Sequence, residues 1–165
     1  IDGQVYAMTG ASRAHGLIVN ALAFAMTPAA RRKGCQLFTS DMKLRLDLGG
    51  KIVFYYPDLL LSCDPDDRDP LFTRAPCLIV EVLSESTARI DRREKLLAYQ
   101  SLPSLQTYVL VAQDAMQVEL YRRAHGWQVE YVEQGSIPMD CLDMELPLAE
   151  VYADVQFPVP TRHTW

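Results

Sequence analysis

The stretch Cys77–Leu83 constrains this chain most. Six of its seven residues are apolar, and the seventh is Glu81. A run of this length and composition predicts a strand covered on both faces. A carboxylate inside it costs several kcal/mol unless it is paired, hydrogen-bonded or metal-bound. Any fold of this chain must therefore bring Glu81 a partner. One reading places Glu81 at a strand end, paired with an arginine such as Arg89. The other joins it to Asp58, which opens the apolar run Leu59–Ser62 and lies 23 residues upstream. Two carboxylates at the ends of adjacent strands can share a cation, because magnesium sites take one or two carboxylates plus waters and phosphate oxygens. Pro57–Asp58 alone is also a common turn dipeptide.

The rest of the chain supplies the surroundings. Residues 2–8 alternate as a short strand. Ser12 is a helix N-cap, and Leu17, Ile18, Ala21, Leu22, Ala25 and Met26 recur at helical spacing behind it. Pro28 is expected to kink or end that helix, with Gly34 closing the segment. Strand-like runs follow at 35–39, 42–48, 52–56 and 59–62, and a polar loop covers 64–76. Thr87 is a candidate cap for a helix over 88–101. Thr107–Ala112 reads as a buried strand, and Val118–Tyr121 with Trp127–Val132 as a hairpin turning near His125–Gly126. A short helix is expected within Pro147–Val155. The order predicts a mixed α/β or α+β domain, a central sheet with one helix on each side and an additional C-terminal β-hairpin. Residues 1–165 read as one domain.

The helix after Glu81 carries Asp91, Glu94, Lys95 and Tyr99. Arg92, Lys95 and Tyr99 share one face, while Ile90 and Leu97 point elsewhere. If that helix folds back over the strand end, Lys95 reaches the two acids. Taken alone, Lys95 reads as an exposed ion pair with Asp91 at i,i+4. The simplest site of this kind sets a lysine two residues after the second acid, on the same strand face, but here that position is Leu83.

Net charge is −5, which on its face disfavours nucleic acid. The charge is uneven. Residues 1–113 hold 13 basic and 12 acidic side chains, and residues 114–165 hold 3 and 9. A metal-dependent site also retains carboxylates for its ion, so overall charge decides little. The four cysteines form no CxxC pair and show no ligand spacing with His15, His125 or His163, so buried free thiols are expected. No basic-then-apolar leader opens the sequence and no run is long enough to span a bilayer, which makes the cytoplasm the default expectation.

The ordered set of these pieces resembles a large bacterial family of restriction-endonuclease-like proteins within the PD-(D/E)XK nuclease superfamily. The matching residues are Asp2-Gly3, Ser12 with His15, and Tyr56-Pro57-Asp58-Leu59. They continue through Pro76 to Thr87 around Glu81, then Asp91, Lys95 and Tyr99, and end at Tyr108-x-Leu110-Val111. The resemblance implies a sheet core flanked by helices, Asp58 and Glu81 as paired acids, and a lysine moved onto the helix as Lys95. It implies an Mg2+-dependent endodeoxyribonuclease-type hydrolase, with Asp58, Glu81 and the main-chain carbonyl of Val82 binding Mg2+ or Mn2+. Arg89, Arg92, Arg93 and Tyr99 are then candidate substrate contacts. His15 reads as a packed histidine or a supporting site residue, and Asp41 as a turn residue or a supporting acid. The expected partner is nucleic acid, DNA foremost, with a homodimer compatible. A catalytically silent nucleic-acid-binding module or a homodimeric interaction module on the same fold is the alternative, with Tyr121, Trp127 and Tyr131 as candidate dimer aromatics.

Overall fold

A computed structural model of the protein describes residues 11–84 and 86–157. The strand expected over residues 2–8 lies outside the described residues, as does His163. The elements are α1 (Arg13–Arg32), β1 (Gln36–Thr39), β2 (Lys43–Leu48), β3 (Lys51–Tyr55), β4 (Leu59–Ser62), β5 (Phe72–Thr73) and β6 (Pro76–Val82). Then come α2 (Ala88–Ile90), a π turn (Asp91–Lys95), α3 (Leu96–Gln100), β7 (Thr107–Val111), β8 (Val118–Arg122), β9 (Val129–Val132), β10 (Ser136–Met139), β11 (Met144–Pro147) and α4 (Leu148–Val151).

The centre is a six-stranded mixed sheet in the order β1-β4-β6-β7-β8-β9. β6 and β7 run parallel, linked by the crossover through α2, the π turn and α3, and the other neighbours are antiparallel. α1 packs on one face of this sheet, joined by α4 and the hairpin β10–β11, around Ile18, Leu22, Leu61, Val80, Val109 and Leu146. The other face carries α3 and a three-stranded sheet in the order β3-β2-β5, around Leu44, Leu46, Leu60, Ile79, Tyr99 and Tyr108. Strand alternation assigns each residue its layer. In β6, Leu78, Val80 and Val82 join the first cluster, whereas Ile79 joins the second. Glu81 is therefore on the α3 side.

The mixed α+β architecture matches the expectation, and three details differ. First, α1 passes through Pro28 to Arg32, because buried Ala29 and Ala30 continue its apolar face. It ends in a Schellman motif, with Cys35 N–H donating to Ala30 O, Gly34 N–H to Arg31 O, and Gly34 at φ +68°. Second, the hairpin β8–β9 is the edge of the main sheet rather than an addition to it. The added hairpin is β10–β11, which the sequence pattern did not reveal. Third, the cysteines are paired, Cys35 with Cys63 and Cys77 with Cys141. The first pair continues the β1–β4 register by one rung beyond Gln36↔Ser62, a proximity that spacing along the chain does not reveal.

Thiol titration checks the pairing. Protein unfolded without reductant is expected to show no reactive thiol, and prior reduction is expected to lower stability by roughly 2–4 kcal/mol per bridge. Four reactive thiols in the unreduced protein would contradict it.

Candidate active site

β4 and β6 are antiparallel, with Leu59 opposite Val80 and Leu60 opposite Ile79. One step further in that register sets Asp58 opposite Glu81. The acids thus meet at one end of the sheet, where β4 begins and β6 finishes. Asp58 Oδ2 accepts from the Val82 N–H at 2.7 Å, and Oδ1 lies 3.1 Å from His15 Nε2. The Asp58 carbonyl accepts from the Ser40 N–H at 3.0 Å. The acid is therefore anchored to β6, to the first turn of α1 and to the β1–β2 turn at once. Ser12 caps α1 by accepting from the His15 N–H at 3.0 Å, which fixes where His15 starts its reach.

Glu81 is only 3% exposed. Its Oε1 accepts from Lys95 Nζ and from the Tyr99 hydroxyl, each at 3.2 Å, and no described residue bonds Oε2. Lys95 Nζ also lies 2.9 Å from Asp91 Oδ1, off the hydrogen-bond axis. Asp91 is 1% exposed, so this is a buried charge rather than the surface ion pair its i,i+4 spacing suggests. The helix is wound wide here: Asp91–Lys95 form the π turn, and the Tyr108 hydroxyl donates to the Asp91 main-chain carbonyl at 3.1 Å. A side chain engaging the helix main chain is a known cause of such a turn, and π turns recur at functional sites.

The charges do not balance. Asp58, Glu81 and Asp91 are three carboxylates around one permanent cation, Lys95. Burial pushes the Glu81 carboxyl up to about 8, with Lys95 pulling down and Asp58 and Asp91 pushing further up. Burial opposes the Lys95 charge, yet Glu81 and Asp91 outweigh it and raise its pKa. The hydrogen bond to Asp58 raises His15 against the effect of burial. A divalent cation would relieve this excess. No group of three or more His, Cys, Asp or Glu side chains converges on a metal position among the described residues. Asp58 and Glu81 would supply two carboxylates to such an ion, with the Val82 carbonyl, water and substrate oxygens to complete a set of the kind Mg2+ takes.

The other expected residues divide. Tyr99 is fully buried with its hydroxyl given to Glu81, so it orients the acid instead of contacting phosphate. Arg92 is held by Glu119 through Nε at 2.9 Å and Nη2 at 2.7 Å. Arg89 and Arg93 are exposed and, with Ala88 and Arg92, line a shallow concavity on the helix. Asp41 is exposed, and no described hydrogen bond ties its carboxylate to the cluster. Tyr121 is buried, Trp127 half-buried and Tyr131 exposed. Two contributors were not anticipated. Asp91 became visible as a site residue only with its burial. Gln113, just past β7, donates from Nε2 to Leu83 O at 2.6 Å and accepts from the Ser12 hydroxyl, tying the α1 cap to the end of β6. A polar residue closing a buried parallel strand beside Glu81 was its only sequence signal.

A mixed sheet flanked by helices, with two acids at one end of adjacent strands and a lysine leaning in from the following helix, is the frame in which the fold can be compared with known proteins. The chain belongs to the Uma2 family, described as "Putative restriction endonuclease", whose model matches residues 1–151. It is similar to two proteins of Synechocystis sp., both described as uncharacterized. One, slr1290, is 37% identical over 123 residues, covering 74% of this chain and 64% of that protein. The other, sll1609, is 30% identical over 126 residues, covering 74% and 70%. The match thus spans just under two thirds of the first relative's length. The crystal structure of "a putative nuclease belonging to DUF820" from Anabaena variabilis superposes with a TM-score of 0.72 at 15% identity, covering 93% of this chain and 88% of that one. At that identity the likeness establishes the fold. No helix among the described residues is long and apolar enough to cross a membrane.

The charge excess has a pH signature in metal-free protein. Glu81 titrates near 8 folded against 4.5 unfolded, so the folded state holds the extra proton between those values. Stability is then full below about pH 4.5 and lost as pH rises towards 8. His15, raised above 6.5, contributes in the same direction. Denaturant midpoints measured with chelator across that range are expected to fall with pH in the wild type and to fall less in Glu81→Gln. A midpoint that rises over the same range would exclude the buried-acid account.

Proposed function

We propose that the protein is a metal-dependent phosphodiesterase that hydrolyses nucleic acid, DNA foremost, in the manner of an Mg2+-dependent endonuclease. The observation that carries this reading is the pair Asp58 and Glu81, set opposite one another at a sheet end and short of positive charge. A structural ion-pair network would be expected to match its charges. This one buries more acid than base and leaves Glu81 Oε2 without a described partner.

Each residue then has a task. Asp58, Glu81 and the Val82 carbonyl would hold Mg2+ or Mn2+. When bound, the ion supplies Lewis-acid polarisation of a phosphoryl oxygen and a water of lowered pKa. His15 and the Val82 N–H hold the Asp58 carboxylate by both oxygens, which fixes the direction of its remaining lone pairs. Tyr99 and Lys95 hold Glu81 from the other side by Oε1 alone. Lys95, steered by buried Asp91, orients the attacking water or offsets charge gathering on the phosphoryl oxygens. Arg89 and Arg93 offer exposed guanidinium groups to the sugar–phosphate backbone, contacts that position the strand without reading its sequence. Arg92 reinforces the helix through Glu119 instead.

Cleavage assays test this. Supercoiled plasmid, single-stranded DNA and RNA incubated with Mg2+ or Mn2+ are expected to be cut, with chelator abolishing the reaction. Asp58→Asn and Lys95→Gln, each verified as folded by circular dichroism, are expected to lose about a hundredfold or more in rate. Equal rates in wild type and Asp58→Asn would sink the assignment. Absence of cutting by wild-type protein that still binds the ion would select the silent-module alternative.

A further inference from the structure

The outer face of the small sheet β3-β2-β5 plays no part in the site described above, yet its composition is unusual. β3 turns Val53 and Tyr55 inward, and Tyr55 packs edge-on against Tyr99 at 5.7 Å, the ring that holds Glu81. Alternation turns Ile52, Phe54 and Tyr56 outward, where they are 55%, 45% and 54% exposed. Beside them stand cations. Lys43 Nζ lies 5.7 Å from the Phe54 ring centre. The guanidinium groups of Arg45 and Arg74 lie 5.6 and 5.0 Å from the Phe72 ring centre, and the Phe72 and Phe54 rings meet edge-on at 6.2 Å. Asp47 is the one acid the register adds to this face, opposite Ile52. Lys43, Arg45 and Arg74 thus bring three cations to the exposed rings, with Arg45 3.5 Å from Asp47 and Arg74 also lining a concavity with Asp64, Asp66, Asp67 and Asp69.

Cation–π contacts of this kind stabilise a surface sheet modestly, but they do not require Ile52, Phe54 and Tyr56 to be left open to water. Exposed rings interleaved with Lys and Arg suit unpaired bases, which stack on the rings while the cations meet the phosphates. Duplex bases are already stacked on one another and offer only their edges in the grooves, so exposed rings find no free base face there. The location fits. Tyr56 precedes Asp58 by two residues, so their Cα atoms lie within about 7 Å.

We propose that the outer face of β3-β2-β5 is a stacking platform for single-stranded polynucleotide, which it delivers to Asp58 and Glu81. The identity of the occupant rests on the nuclease reading, which the platform narrows to unpaired or locally opened substrate.

Fluorescence anisotropy with chelator present separates binding from cleavage. The probes are labelled oligothymidylate, oligouridylate and a blunt duplex, the first two distinguishing DNA from RNA as the source of the strand. Wild-type protein is expected to prefer a single strand to duplex. Phe54→Leu, which keeps an apolar side chain but no ring, is expected to weaken single-strand binding roughly tenfold, and Phe54→Trp to restore it. Arg74→Ala is expected to lower the salt dependence by about one counterion. Equal affinity of Phe54→Leu and wild type, or a preference for duplex, overturns the platform. So does a Phe54-dependent dimer in light scattering with nucleic-acid binding unaltered, since the patch would then serve a second copy of the chain. The two readings fail separately. Ring-dependent binding by a protein that cuts nothing removes the nuclease reading and keeps the platform; cutting with ring-independent binding does the reverse.

Discussion

Lys95 sits between two buried carboxylates, and much of the molecule is arranged around that contact. An apolar strand can hold Glu81 only if something answers its charge. The answer comes from the crossover helix, which must return over the end of β6 for Lys95 and Tyr99 to reach Glu81 Oε1 at 3.2 Å each. Asp91 fixes Lys95 from one turn away, and Tyr108, from neighbouring β7, reaches the main-chain carbonyl of Asp91. The widened turn, the tyrosine cluster of Tyr55, Tyr99 and Tyr108, and the parallel pairing of β6 with β7 all support the same side-chain contacts.

Replacing this network by well-packed apolar residues would be expected to cost no stability, since buried ion pairs recover their desolvation only with good geometry. An imbalance of more acid than base is what the proposed ion site calls for. The same imbalance explains why the site can be both rigid and receptive. Asp58 is held through both oxygens and by its carbonyl, so little ordering remains to be done when an ion or phosphate arrives. In the proposed role, the excess of acid would supply the attraction for a cation. The aromatic and basic face behind β3 extends this logic outward, since its inner side packs on the ring that orients Glu81.

What could be read from the chain followed from local periodicity and from the cost of burying charge. Glu81 stood out because its neighbours are apolar on both sides; α1 and β2 showed helical and alternating patterns, and β4, β6 and β7 were legible as apolar runs. Asp58 took its meaning from Glu81 and Lys95 from a family resemblance, because a turn or a surface pair would have explained each of them alone. Long-range geometry was out of reach. Asp91 looked like half of an exposed i,i+4 pair, because nothing local indicates that the helix presses that side against β7. The cysteine pairs join positions 28 and 64 residues apart, and only the strand register brings the first pair together. The hairpin β10–β11 was missed because Pro138 sits in one strand and Glu145 in the other. Pro28 offered either a kink or an end, and packing of Ala29 and Ala30 carries α1 past it to Arg32.

The central claim is that the excess of buried acid at the end of β4 and β6 serves to bind a divalent cation. Diffraction from crystals soaked in Mn2+, read by its anomalous signal, tests it most directly. The account predicts one dominant peak in contact with the carboxylates of Asp58 and Glu81 and the carbonyl of Val82, and its disappearance in Asp58→Asn. A well-ordered site with no peak there, and Lys95 still bound to Glu81 at saturating Mn2+, would contradict it.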